Sequence, residues 1–196
     1  MKVVYSDLKN KRVFISGGGS GIGATIVEHF CEQKSEVYFI DIDLKSSKKL
    51  IKKIKKKGYR VPKFIECNIL DVKKLQNIIK DIISKKGAIH CLINSAANDD
   101  RHTTEQVDEK YWENRMGINL KHYFFAAQAV VKGMKKTKSG SIVNLSSVSW
   151  MLGEGDKVVY ETAKSAVVGL TRSFAQEFGK YNIRTNSVIP GSIATE

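Results

Sequence analysis

The sequence predicts an α/β fold of three layers: a doubly wound parallel sheet with helices on both faces. Three observations lead there. Six short β-branched runs alternate with longer stretches of helical period. Those runs are apolar throughout rather than alternating, as strands read when both of their faces are covered. The glycine-, serine- and asparagine-rich stretches follow the strands, at the carboxyl ends where such a sheet opens its ligand crevice.

Each element can be justified in turn. "RVFIS" (12–16) is the first strand; "SGGGSGIG" (16–23) follows it and opens a helix over about 20–33. "EVYFI" (36–40) ends at Asp41 and leads into a lysine-rich helix in which Leu44, Leu50, Ile51 and Ile54 form a narrow apolar stripe. "KFIEC" (63–67) is followed by Asn68 and by a helix with Val72, Leu75, Ile78, Ile79 and Ile82 on one side. "IHCLIN" (89–94) leads through "NSAANDDRH" to one long or broken helix over about 105–135. "SIVNL" (141–145) and "SSVSWM" precede a helix over about 157–179, and "IRTNSV" (183–188) is the sixth strand, ending in "PGSIAT". No repeat or low-complexity linker interrupts the series, so a single domain over 1–196 is expected.

Composition removes several function classes. Hydrophobic residues make up 42% of the 196 and only two prolines occur, which argues against wholesale disorder. No apolar run approaches the roughly 18 residues a membrane span needs, and the first residues lack a signal-peptide pattern. Cys31, Cys67 and Cys91 are too few and too scattered for a disulfide framework or a zinc site, so a reducing cytoplasm is expected. The net charge of +13 does not imply nucleic acid. Nine basic residues and no acid fall between Lys45 and Arg60, on the solvated face of one helix, without interleaved aromatics.

The glycine loop fits a phosphate site. Gly17, Gly21 and Gly23 let a backbone turn sharply, approach a pyrophosphate and pack the next helix on its strand. The free N–H groups of that helix then face the anion, as in Rossmann-type dinucleotide sites. Asp41 closes the second strand 18 residues after Gly23, where its carboxylate would accept from ribose hydroxyls and repel a 2′-phosphate. NAD is therefore expected rather than NADP.

Tyr160 and Lys164 stand four apart among Val, Ala and Leu, on one helix face. A buried lysine needs a partner. A free phenol has a pKa of about 10, too high for a base at neutral pH, and a nearby ammonium lowers it.

At these residues the chain resembles the short-chain dehydrogenase/reductase family. The resemblance rests on "SGGGSGIG", "NSAA", Asn119 in "GINL", Ser147 in "NLSSVS", Tyr160 with Lys164, and "PGSIAT", with thirteen residues from Ser147 to Tyr160. It implies that Tyr160 is the general base, that Ser147 holds the substrate oxygen, and that Lys164 also binds the nicotinamide ribose. It implies too that Asn119 anchors a water linking Lys164 to solvent. For the cofactor it implies Ser16, Gly17, Ser20, Gly21, Ile22, Gly23, Asp41, Asn68, Ile69, Asn94, Ala96, Pro190, Gly191, Ile193 and Thr195, beside Tyr160 and Lys164. Ser16 replaces a threonine, Asn68 an aspartate and Ala97 a glycine of the usual pattern; none removes a catalytic group. The family fold continues past "PGSIAT" with a further helix and strand, which this chain is expected to lack, and its members are often homodimers or homotetramers.

The substrate side is read from the loops facing the nicotinamide. Asn98, Asp99, Arg101 and His102 would hydrogen-bond the hydroxyls of a sugar, and Trp150 would stack on its ring. "NSAANDDRH", "YFFAAQAVVKGMK" and "SVSWMLG…VYETAK" look like bacterial D-xylose and L-arabinose 1-dehydrogenases, which implies oxidation of an aldopyranose to its lactone with NAD. The alternatives are another oxidoreductase of the family, such as a 3-oxoacyl reductase or secondary-alcohol dehydrogenase, or a non-catalytic NAD-binding protein.

Overall fold

Six parallel strands lie in the order β3-β2-β1-β4-β5-β6 in the computed structural model, which describes residues 3–195. They are β1 (Arg12–Ser16), β2 (Glu36–Asp41), β3 (Lys63–Glu66), β4 (Cys91–Asn94), β5 (Gly140–Leu145) and β6 (Ile183–Val188). This is the doubly wound order that leaves a crevice where the chain reverses direction, between β1 and β4. Val13, Phe14 and Ile15 of β1 are wholly buried, as the unbroken apolar runs require.

Side chains leave a strand on alternate faces, so β1 feeds two cores. Val13 and Ile15 pack with Val27 and Cys31 of α1 (Gly21–Glu32) and with Leu50 and Ile54 of α2 (Leu44–Lys56). Phe14 packs on the other side with Leu75 and Ile79 of α3 (Val72–Lys86) and with Ala126, Val130 and Met134 of α5 (His122–Thr137). Each fully buried large aliphatic side chain contributes roughly 1.5–3 kcal/mol. Leu44, expected in the apolar stripe of α2, is 40% exposed; Ser47, Leu50 and Ile54 form the buried face. The lysines of α2 point outward, and Lys53 and Lys57 pair with Glu28 of α1.

The stretch expected as one long or broken helix is broken. A short 3-10 turn at Thr104–Gln106 is followed by α4 (Glu109–Met116), a π-helical segment (Gly117–Lys121) and α5. A four-residue helix α6 (Ser149–Leu152) then precedes α7 (Val158–Phe178).

Helix starts fall into two kinds. Asp43, Asp71 and Asp108 cap α2, α3 and α4, accepting from Ser46, Lys74 and Tyr111 N–H groups at 2.9, 2.9 and 2.7 Å. Ser20 at α1 and Lys157 at α7 make no such side-chain bond. Those two helix ends both border the cleft described next.

Candidate active site

A cleft of about 780 Å³ runs across the carboxyl ends of the strands and is lined from all six strand ends. Ser20, Gly21, Ile22 and Gly23 line it after β1, Asp41 and Asp43 at β2, and Asn68 and Ile69 after β3. Ala96, Asn98 and Asp99 line it after β4, Ser147 after β5, and Pro190, Gly191, Ile193 and Thr195 after β6; Tyr160 and Lys164 come from α7.

The glycine loop is held by close packing. Gly17 has φ +68°, and a Cβ there would lie 2.6 Å from the Ala96 Cα. A Cβ on Gly23 would fall on the Gly17 carbonyl oxygen. Only glycine lets the loop approach β4 and its own helix this closely. With no side-chain cap, the first N–H groups of α1 remain available toward the cleft. Asp41 is oriented beforehand: Oδ2 accepts from Gly19 N–H at 2.8 Å and Oδ1 from Asp43 N–H at 2.9 Å. Asn68 Oδ1, expected to face adenine, already accepts from Leu70 N–H at 3.0 Å.

Two expected cofactor residues do not reach the cleft. Ser16 is fully buried, and its hydroxyl accepts from Ser95 and Ala96 N–H groups at 3.2 and 3.4 Å, tying β1 to the loop after β4. Asn94 is fully buried too; its Nδ2 donates to Asn144 Oδ1 at 2.9 Å across the β4–β5 pair. Both brace the sheet end that carries the site.

Tyr160 and Lys164 share the cleft, with Lys164 Nζ 5.5 Å from the Tyr160 ring centre. The ammonium spends its hydrogen bonds elsewhere. It donates to the Leu145 carbonyl at 2.8 Å and to Tyr123 Oη at 3.0 Å, while Tyr123 Oη donates to the same carbonyl at 2.9 Å. Burial pushes the Lys164 ammonium down to about 7, opposed by the Asp99 carboxylate. The Tyr160 phenol is pushed up, first by burial; the Ser147 hydrogen bond and then Lys157 pull it down, while Asp99 and Glu154 raise it. The net direction is upward where a lowered value was expected: burial outweighs the groups that pull it down. Ser147 Oγ accepts from the Ser149 hydroxyl at 2.9 Å and from Ser149 N–H at 3.2 Å, which leaves its own proton to donate.

Asn119 does not face the cleft. It is fully buried in the π segment, with Oδ1 accepting from Asn98 N–H and Nδ2 donating to Asn98 O, both at 2.9 Å. Its amide clamps the backbone that presents Asn98 and Asp99.

Three expected substrate residues are also elsewhere. His102 is buried; its Nε2 accepts from Val159 N–H at 3.3 Å, at the start of α7. That bond assigns the ring proton to Nδ1, which lies 3.2 Å from the Asp100 carbonyl and 2.9 Å from Tyr111 Oη. Arg101 is largely exposed and ion-paired with Asp156, outside the cleft. Trp150 does not line the cleft, and its Nε1 is buried without a hydrogen-bond partner. Asn98 and Asp99 remain in place.

Glu154 and Lys157 line the cleft and were not anticipated. The signal was present: a lysine three residues before Tyr160, at the first turn of an apolar helix, where an acid or hydroxyl is the usual cap. Among the described residues, no group of three or more His, Cys, Asp or Glu side chains could hold a metal, and no helix is long and apolar enough to cross a membrane.

Comparison with known proteins agrees with this geometry. The sequence profile of the short chain dehydrogenases matches residues 11–196. A probable galactose dehydrogenase of Rhizobium meliloti is 40% identical over 192 residues, 98% of this chain and 75% of that protein. A D-xylose 1-dehydrogenase of Caulobacter vibrioides is 40% identical over 194 residues, 98% of this chain and 76% of that one. The ligand-free structure of Thermoplasma acidophilum aldohexose dehydrogenase superposes with a TM-score of 0.86 at 29% identity, covering 97% of this chain and 70% of that one. The chain thus belongs to the short-chain dehydrogenase family of oxidoreductases, whose members typically use a nicotinamide cofactor.

Proposed function

We propose that the protein oxidises the anomeric hydroxyl of an aldopyranose to the lactone, with NAD as hydride acceptor and Tyr160 as general base. The observation that carries this reading is the shared cleft. The uncapped glycine-loop helix, the Ser147–Tyr160 pair and the polar Asn98–Asp99 backbone all open into one space. The names of the relatives at 40% identity support a sugar as the substrate.

The residues present fit a nicotinamide dinucleotide. The N-terminus of α1 would take the pyrophosphate and Asp41 the adenosine ribose, while Tyr160 and Lys164 would lie beside the nicotinamide half. Asp41 and Asp43 both line the adenosine end, where two carboxylates would repel a 2′-phosphate. Among the described residues, the lysines lining the cleft are Lys157 and Lys164, at the Tyr160 end. This favours NAD over NADP.

Bound nicotinamide supplies the acceptor for the hydride leaving the anomeric carbon. Ser147 donates to the substrate oxygen and holds it against Tyr160, whose phenolate takes the hydroxyl proton. In its ammonium form Lys164, one turn away, favours that phenolate. We further read the protein as cytoplasmic, with its three cysteines free, and as a homodimer or homotetramer; the exposed Trp112 and Phe124 on α4 and α5 support self-association.

The test is NADH formation from a panel of aldopentoses and aldohexoses, repeated with NADP and with Tyr160→Phe. Turnover with NAD that disappears in the variant is the expected result. Turnover only on secondary alcohols or 3-oxoacyl thioesters would replace the sugar reading, and NADH binding with no turnover at all would favour a non-catalytic role.

A further inference from the structure

We propose that Glu154 and Lys157 form a second anchor of the substrate site, an acceptor–donor pair that takes two neighbouring hydroxyls of a polyhydroxylated ring while Ser147 and Tyr160 hold the reacting one. The inference rests on the sugar reading above and names the residues that select for it.

The pair is built, not incidental. Lys157 Nζ lies 2.5 Å from Glu154 Oε2, and the lysine side chain is one-tenth exposed. Both residues line the cleft, and the ammonium sits 6.0 Å from the Tyr160 ring centre. The loop that carries them is pinned. Gly153 and Gly155 turn the chain on either side of Glu154 with φ +66° and +79°, and Glu154 N–H donates to the Glu161 carboxylate at 3.0 Å. Asp156 O accepts from His102 N–H at 2.7 Å.

Stability alone does not account for the lysine. It occupies the cap position of a 21-residue helix, where a cation opposes the helix dipole and caps no N–H group. Burying an ammonium is unfavourable unless it is partnered. Helices α2, α3 and α4 each begin on an aspartate cap instead. A local rule broken beside the reacting phenol points to function.

Chemistry names the ligand class. A hydroxyl is one donor and two acceptors, so two adjacent hydroxyls can give a proton to the carboxylate and accept one from the ammonium. Both bonds are charge-assisted, hence strong. A substrate with one hydroxyl, or an acyl thioester, cannot satisfy both groups.

The test measures Glu154→Gln and Lys157→Met against wild type, with the preferred aldose and with its singly deoxygenated analogues. NADH affinity and circular dichroism establish that each variant is folded. Loss of one charge-assisted bond is expected to raise KM for the intact sugar by about ten- to a hundredfold, with NADH affinity unchanged. For each variant a different one of two neighbouring deoxy analogues should be poor for wild type yet lose almost nothing further in that variant, because the hydroxyl and its partner are already uncoupled. If KM and the deoxy penalty stay as in wild type, the inference falls and the sugar reading stands. A drop in kcat with KM unmoved also overturns it, since the pair would then act on Tyr160 rather than on substrate. If wild type binds NADH but neither oxidises nor binds any sugar, both readings fall together. Glu154 is partly exposed, so its variant provides the answer even where Lys157→Met does not fold.

Discussion

Tyr160 and Lys164 are one helical turn apart, yet the Lys164 ammonium donates to the Leu145 carbonyl and Tyr123, while Ser147 is the hydroxyl that pulls the Tyr160 phenol down. Replacing Tyr160 by Phe would remove the proposed proton acceptor and is expected to lower kcat/KM by about 10²–10⁴, with NADH binding retained by fluorescence titration. The Ser147 hydrogen bond pulls the Tyr160 pKa down, so Ser147→Ala should move the rising limb of the oxidation pH profile to higher pH as well as slow turnover. An unmoved limb in Ser147→Ala would mean that another group limits the rate. Lys164 illustrates function set against stability. Its value falls from 10.5 to about 7, so the unfolded chain binds more protons between those limits. The cost of burying the ammonium is therefore full below pH 7 and is relieved as pH rises toward 10.5. In Lys164→Met, Tyr123 Oη still satisfies the Leu145 carbonyl. That variant should be more stable than wild type by about 1–4 kcal/mol at pH 6, and the gain should vanish near pH 10 in urea titrations.

At the scale of elements, the site depends on a clamp, on the uncapped start of α1 and on a start of α7 that His102 caps in place of Lys157. Asn119 makes two hydrogen bonds to Asn98 from a fully buried position. Asn119→Ala strands both backbone groups and is expected to cost about 2–4 kcal/mol, with a loss of kcat as the Asn98–Asp99 loop is released. Retained kcat with lowered stability would show that the clamp serves the fold alone. This role was not legible in the sequence. Asn119 reads as one more helical position, because a π segment has no hydrophobic period of its own and its i→i+5 bonding is decided by the packing around it. His102 and Trp150 were misread for a related reason. A loop's sequence says which groups it carries but not which way each side chain turns, and His102 turns inward to cap α7. The glycine loop was legible because Gly17 and Gly23 are demanded by backbone contacts that any other residue would violate. Ser16 and Asn94 were right in place and wrong in aim: strand ends reach the cleft, but alternate side chains point into the sheet.

For the whole molecule, the alternation of apolar runs with helical stretches was enough to give the sheet and its crevice, since only a covered parallel sheet buries every residue of β1's core. The charge was legible too: the lysines of α2 face outward, away from the cleft. That placement leads to the cofactor prediction. A dinucleotide lying from Asp41 to Tyr160 would touch segments following β1 through β6, so its binding should stabilise the protein globally rather than one loop. At a concentration a hundred times Kd, a ligand bound only by the folded state adds about 2.7 kcal/mol. For a chain of this size that is a rise in Tm of about 5–10 °C. NADH should produce it in a thermal melt, and NADPH at the same concentration should produce much less, because Asp41 and Asp43 would meet the 2′-phosphate with like charge and, among the described residues, no lysine lines that end. Asp41→Ala should narrow the difference by weakening NADH and relieving NADPH. Equal shifts from the two nucleotides in wild type would mean that a lysine of α2 folds over to meet the phosphate, and the preference for NAD would have to be given up.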